Sequence, residues 1–226
     1  GGTEQTLETT LVLRDHNLET AVREMLGKTE GPLTRKELEG LTKLDASQSN
    51  IENLYGLEFA VNLTMLNLSD NQISDISPLA SLTNLRTLWL LENQISDLSP
   101  LASLTNLLSL QLPDNQISDL GPLASLSNLQ SVGLSSNQIS DLSPLASLTN
   151  LTYLNLTENQ ISDVSPLGSL TNLARLSLSE NQISDVSPLA SLTSLNELEL
   201  GGNPLSQESI DVHVPNLKAK GIEVTL

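Results

Sequence analysis

The chain contains no cysteine. That excludes a disulfide scaffold, a thiolate zinc site and a cysteine nucleophile. Aromatic residues number only four in 226, so a core of this length has to be aliphatic. Bases are scarce as well: ten Lys and Arg stand against 27 Asp and Glu, for a formal net charge of −17. A surface of that sign repels phosphate backbones and anionic lipid, and no nucleic-acid partner is expected. No apolar run approaches the roughly 18 residues of a membrane-spanning helix, so membrane insertion is not expected either. No basic-then-apolar leader opens the chain. His16 and His213 lie near opposite ends, which leaves the many serines between them without a base to activate them. With no glycine-rich phosphate loop either, neither catalysis nor a cofactor is expected.

What the chain has in excess is leucine, 51 residues, and it is periodic. The string NQISD begins at Asn71, Asn93, Asn115, Asn137, Asn159 and Asn181, always 22 residues apart. In that register eight units start at Leu41, Leu63, Leu85, Leu107, Leu129, Leu151, Leu173 and Leu195. Numbered within a unit, positions 1, 4 and 6 are Leu with two exceptions, Val132 and Ala46. Position 9 is Asn except Ser49, position 11 is Ile except Leu205, and position 16 is Pro from Pro78 to Pro188.

A period of this length with the spacing L-x-x-L-x-L-x-x-N-x-L is the leucine-rich repeat signature. Positions 4 and 6 are two apart and therefore share one face of a short strand. One such strand cannot bury its leucines alone. Units stacked about 4.8 Å apart make a continuous parallel sheet over a leucine interior. The expected fold is an α/β solenoid, with the parallel sheet on the concave side and 3₁₀ or very short helical turns on the convex side. Asn at position 9 is expected to satisfy backbone groups between adjacent units. Ser77-Pro78 and its equivalents read as an N-cap followed by a first-turn proline.

The ends depart from the period, as solenoid ends must. Residues 17–26 place Leu18, Ala21, Val22, Met25 and Leu26 on one helical face, stopped by Gly27. Thr34 and Glu37 form a capping box for a second helix carrying Leu38 and Leu41. Residues 215–220 read as a helical turn, followed after Gly221 by Ile222, Val224 and Leu226 in strand alternation. The expected organisation is one continuous solenoid: a linker and helical cap at 1–40, eight repeats at 41–205 and a closing cap at 206–226.

The repeat xxNQISDxSPLAxLTNL and the leading segment DHNLETAVREMLGKTEGPLTRKELEGLTKLDASQSNI together resemble the bacterial internalin-type leucine-rich repeat proteins, over roughly residues 12–205. The resemblance implies a curved solenoid, extracellular or cell-surface display, and recognition of a protein through the concave face. The segment after Asn203 does not resemble the immunoglobulin-like domain that follows internalin repeats.

Comparing the units with one another separates framework from free positions. Positions 3, 5 and 7 alternate with the buried leucines, line the concave face and vary. Within that polar ladder stand Met65, Trp89, Leu91, Pro113 and Tyr153, with Leu108 alongside at position 2 and Gln111 beside Trp89. Trp and Tyr are frequent binding anchors, and Arg175 is a third candidate. These eight residues are the expected partner-binding set. Position 8 adds acids along one rim at Asp70, Glu92, Asp114, Glu158 and Glu180, which fits a protein partner with a basic surface. Two other readings stand beside recognition by a monomeric module: a structural or surface-display spacer, and an engineered consensus scaffold. The column Asp75, Asp97, Asp119, Asp141, Asp163 and Asp185 reads mainly as turn acceptors, with calcium binding the alternative.

Overall fold

The computed structural model describes residues 10–226. Its central feature is a nine-stranded parallel sheet whose strands follow chain order. They are β3 (Lys43–Asp45), β4 (Met65–Asn67), β5 (Thr87–Trp89), β6 (Ser109–Gln111), β7 (Ser131–Gly133), β8 (Tyr153–Asn155), β9 (Arg175–Ser177), β10 (Glu197–Glu199) and β11 (Glu223–Thr225). Neighbouring strands from β3 to β10 pair in a register of 22, as in Leu66 opposite Leu88. β10 then pairs with β11 at Leu198–Val224, so the closing strand continues the leucine column after the repeat has ended. The interior is aliphatic throughout. Leu66, Leu88, Leu110 and Leu154 at position 4 and Ile73, Ile95, Ile117 and Ile139 at position 11 are fully buried.

Three hydrogen-bond ladders run across the stack and account for most of the invariant polar positions. The first is the position-9 asparagine. Asn115 donates from Nδ2 to the carbonyls of Leu90, Leu112 and Pro113, and its Oδ1 accepts the Ile95 N–H at 3.0 Å. One amide thus serves four backbone groups of two units, where water has no access. The second, at position 22, is an asparagine whose Nδ2 bonds a carbonyl 23 residues back, as Asn84 does to Val61 and Asn106 to Thr83. The third is the position-19 serine, as in Ser103 to the Ala80 carbonyl at 2.7 Å. Only the first was expected; the constancy of positions 19 and 22 within the chain was the signal for the others.

The convex side carries short 3₁₀ helices such as Ser77–Ser81 and Ser99–Ser103. Here one expectation is corrected. The serine before the proline is not the N-cap: it already lies inside the helix, and Ile76 and Leu98 hold the cap position without any side-chain cap bond. The capping work falls to the aspartate at position 13, whose Oδ1 accepts the N–H of the residue two places on at 2.8 Å, from Asp75–Ser77 to Asp185–Ser187. The bond spans two residues, an Asx turn that leads the chain into the 3₁₀ helix.

At the N-terminal end, β1 (Thr10–Leu11) pairs antiparallel with β2 (Leu33–Thr34) around α1 (His16–Leu26), and α2 (Arg35–Glu39) follows. Leu18, Val22 and Leu38 are fully buried, whereas Met25 is 46% exposed and lies off the buried face. Asp15 caps α1 by accepting from Asn17 and Leu18, and its second oxygen accepts from Glu52 and Asn53 of the first repeat. The cap is thereby tied to the solenoid by one carboxylate. Gly56, with φ of 100°, has no room for a Cβ, which would stand 2.7 Å from Leu13 Cδ2. At the other end α3 (Val214–Ala219) is preceded by a π-type turn at Ser209–His213. Pro215 has no N–H to give to the carbonyl four residues back, and the widened turn ahead of it is the consequence. Ser209 is fully buried, bonding the Ser184 carbonyl and the Val186 N–H. Ile222 and Val224 are buried, while Leu226 is 58% exposed beyond the last pairing.

Candidate functional site on the concave sheet

The sheet face is built from positions 3, 5 and 7, which alternate with the buried leucines. Register places Trp89 between Asn67 on β4 and Gln111 on β6. Leu91 and Pro113 continue the same strands, held by Asp70 N–H to Leu91 O and Glu92 N–H to Pro113 O, both at 2.9 Å. Met65, Trp89, Leu91, Gln111 and Pro113 therefore form one neighbourhood over β4–β6, with Leu108 at the foot of β6. Tyr153 and Arg175 form a second one, opposite each other on β8 and β9. Three strand spacings, about 14 Å, separate Trp89 from Tyr153. Arg175 is exposed and paired with Glu197 at 3.2 Å.

Alternation on β5 turns Trp89 away from the leucine core, toward solvent, with only Met65, Leu91 and Gln111 to shield it. It is half-buried, as are Met65, Leu91, Leu108, Gln111, Pro113 and Tyr153. The cause is visible in its neighbours. Along positions 5 and 7 of the whole face, only Asn67, Ser69 and Gly133 are buried. Asn67 and Ser69 lie on the β4 side of Trp89 and Leu91, which are the large side chains available to cover them. Gly133 is buried because the Gln111 side chain lies across it, in the space a Cβ would fill, with Gln111 Nε2 bonded to Ser131 Oγ at 3.3 Å. Gln111 thus lies toward β7, on the side away from Trp89. Composition alone does not show which way a face side chain leans, so the buried pair Asn67–Ser69 was missed. Ser69 is also unusual chemically: its Oγ is buried and has no hydrogen-bond partner.

The acidic rim stands on a left-handed backbone. Position 8 is left-handed in every unit: Gln48, Asp70, Glu92, Asp114, Ser136, Glu158 and Glu180 have φ between 52° and 56°, and Gly202 has 72°. That region costs an L-residue about 1–2 kcal/mol, and it is imposed here by the turn that brings position 9 inward. The Glu92 carboxyl lies against that of Asp70, which raises its pKa above the usual range, with a smaller push from Asp114. Among the described residues no ion pair reaches Asp70, Glu92 or Asp114. Several of the position-13 aspartates behave oppositely. Backbone and side-chain donors of the following serine hold Asp97, Asp141 and Asp185 below the ordinary value. Among the described residues no group of three or more His, Cys, Asp or Glu gathers around a common point suited to a metal ion. No described helix is long and apolar enough to cross a membrane. The most exposed large apolar residues lie off the sheet face, at Val12, Met25, Tyr55, Ile210, Val212 and Leu226. Of these the sequence had singled out only Met25 and Leu226, both as cap residues.

A one-strand-per-unit parallel sheet, a constant 22-residue register and a buried asparagine ladder define a leucine-rich repeat solenoid. The family profile "Leucine Rich repeats (2 copies)" matches residues 61–103, 105–147, 127–169, 149–190 and 171–212. An internalin (inlF) from Listeria monocytogenes is similar over 99% of this chain and 66% of its own, at 40% identity and a TM-score of 0.91. An internalin C2 from the same organism is similar over 94% of this chain and 92% of its own, at 39% identity and a TM-score of 0.86. The chain belongs to the bacterial internalin-type leucine-rich repeat proteins. It spans about two thirds of the first of these relatives, 66%. A plant peptide hormone receptor, solved in complex with RGF2, shares 26% identity over 76% of this chain and 30% of its own, with a TM-score of 0.66. No curated protein sequence is a significant match.

Proposed function

We propose that this chain is a non-enzymatic protein-recognition module that binds a partner protein through its concave sheet. The observation that carries the reading is the β4–β6 neighbourhood of Met65, Trp89, Leu91, Leu108, Gln111 and Pro113, a largely apolar patch on a face otherwise mostly polar or charged. Tyr153 and Arg175 extend it toward the C-terminal end. The uncompensated acids at position 8 favour a partner with a basic surface, and the low aromatic content makes Trp89 the expected centre of the binding energy. A plant receptor of the same fold, solved with RGF2, supports the general use of such solenoids for protein ligands. The kinship with internalins supports display outside the bacterial cell, and we assign the chain a monomeric state. Within the expected cap segments 1–40 and 206–226, residues 10–40 and 206–226 serve as end caps of one solenoid, and residues 1–9 lie outside the described residues.

The test is binding of a captured partner to the intact chain and to the combined Trp89→Ser, Leu91→Ser, Tyr153→Ser variant. Trp89→Ala alone should cost about 2 kcal/mol or more in affinity, the hot-spot range. The association rate should fall as salt rises. Undiminished affinity of the combined variant would favour the spacer reading, or a site on the convex side.

A further inference from the structure

We infer that the cavity between α3 and the last convex turn (Ser187–Ser191) binds a small aliphatic carboxylate, with Lys220 receiving the charged head. The site stands apart from the concave face and does not depend on it. The cavity arises where the repeat ends. Strand register steps by 22 up to β10 and then by 26, from Leu198 to Val224. The extra length goes into the helical run 209–219, where earlier units have a 3₁₀ helix of five residues or fewer. The inter-unit ladders break at the same place. Ser191 is the last serine of position 19, bonding the Gly168 carbonyl at 2.7 Å. His213 holds the next position 19, and Lys220 Nζ instead donates to the Ala190 carbonyl, at 2.7 Å. Asn216 holds position 22, but its amide makes no hydrogen bond among the described residues. His213, Asn216, Leu217 and Lys220 follow the spacing i, i+3, i+4, i+7 and so share one face of the helix. Between that face and Val186 and Ala190 lies a cavity of about 270 Å³.

The lining is amphipathic. Val186 and Leu217 are buried and, with Ala190, make the apolar wall. The polar side carries one uncompensated charge. The bond to a neutral carbonyl needs one donor, and the Lys220 ammonium has three. No acid pairs with Lys220 among the described residues. Its hold on Ala190 fixes the ammonium at the cavity before any ligand arrives, which leaves less side-chain freedom to lose on binding. His213 is already faced by acids, Glu208 at 3.9 Å and Asp185, so the anion goes to Lys220 and to the free Nδ2 of Asn216. Beyond Arg175 the only Lys and Arg residues are Lys218 and Lys220, which makes this end of α3 the cationic point of the C-terminal third. Pockets for drug-sized ligands run about 300–1,000 Å³, and this one lies just below, so it suits one charged head on a few carbons. Such a group occurs as a free short-chain acid or as the C-terminal residue of a peptide.

The probes are pentanoate and acetyl-glycyl-valine with a free carboxylate, each titrated into the full chain. The amide signals of Ala190, His213, Asn216, Leu217 and Lys220 are followed by NMR. Pentanamide and the C-terminal amide of the peptide are the neutral controls. Each acid should give saturable shifts confined to α3 and the last convex turn, and each amide should bind about tenfold or more weaker. Tighter binding of the peptide acid identifies a chain terminus as the source of the carboxylate, and tighter binding of pentanoate a free acid; both results support the site. Lys220→Met should weaken the acids about tenfold or more and leave the amides unchanged. Ala190→Leu, which fills the cavity from the opposite wall and keeps Lys220, should abolish binding of all four. If Lys220→Met disturbs α3, the comparison of acid with amide in the native chain decides. No saturable shift with either acid, equal binding of acid and amide, or shifts spread along the solenoid would overturn the site. Any of those failures leaves concave recognition standing, because neither Trp89 nor the sheet takes part.

Discussion

The same amino acid does two different jobs at two positions of the repeat. Asn115 lies inside the turn, buried, and serves the backbone groups of Ile95, Leu90, Leu112 and Pro113. Asn155 lies on the sheet face, half-buried, and accepts a single N–H, that of Thr157, at 3.0 Å. The first position reads Asn in seven of eight units; the second runs through Asp, Asn, Trp, Gln, Gly, Asn, Ser and Glu. The difference lies in who supplies the hydrogen-bond partners. Inside, each unit presents its neighbour with the same unmet N–H and carbonyl groups, and one side chain of one shape fits them. On the face, solvent meets the need, and the side chain is free to serve something outside the chain.

The contrast can be broken most forcefully at an end. A chain lacking residues 1–40 loses Leu18, Val22, Leu33 and Leu38 from above the first leucine layer, and each Å² of apolar surface uncovered costs about 25 cal/mol. We expect aggregation or loss of a cooperative urea transition; light scattering that shows a monomer with an intact transition would refute the cap. Next in size is Asn115→Leu, which strips partners from four backbone groups. Chemical denaturation should show a loss of about 3 kcal/mol or more, while Asn155→Ala on the face should lose under about 1 kcal/mol. Equal costs at the two sites would erase the distinction drawn between them.

Asp15→Ala should cost about 1–2 kcal/mol, because one carboxylate both caps α1 and holds the first repeat. Burial pushes the Asp15 carboxyl up, but four backbone N–H donors outweigh it and leave the pKa lowered. The folded value lies below the unfolded one, so this stability is present above the unfolded pKa and is lost as pH falls through the folded pKa. The pH dependence of unfolding between native and Asp15→Ala chains should differ in that acid window only. The smallest effect is of opposite sign. Contact with Asp70 raises the pKa of Glu92. Between its unfolded and folded values the native state holds a proton that the unfolded state has released, so stability declines as pH rises through that window and stays reduced above it. Glu92→Gln should therefore raise the thermal midpoint slightly at neutral pH and leave it unchanged in acid. A lowered midpoint at neutral pH would show that the acidic rim is not under repulsion.

Much of the fold was legible because the period is strict. Leu88 and Leu90 alternate around Trp89, and that alone assigns the face of each residue on β5. The Ser77 cap was misread because the 22-residue pattern shows that a turn exists but not at which residue its helical geometry begins. The left-handed backbone at position 8 had one weak sign, the glycine at Gly202, masked by acids in five other units. The candidate site was legible as a set of residue types, and less so as an arrangement.

By itself the sequence determined the solenoid, the strand register, the aliphatic core and the residues that face outward. Each follows from a hydrophobic period repeated at constant length, with buried backbone groups that only a neighbouring unit can satisfy. The tertiary structure alone decided that Trp89 and Leu91 lie beside a buried Asn67 and an unpartnered Ser69, and that Gln111 lies over Gly133. It also decided that Asp70 and Glu92 meet. Those contacts join residues about 22 apart in the chain, and their geometry depends on rotamers chosen against lateral neighbours, which no periodicity encodes.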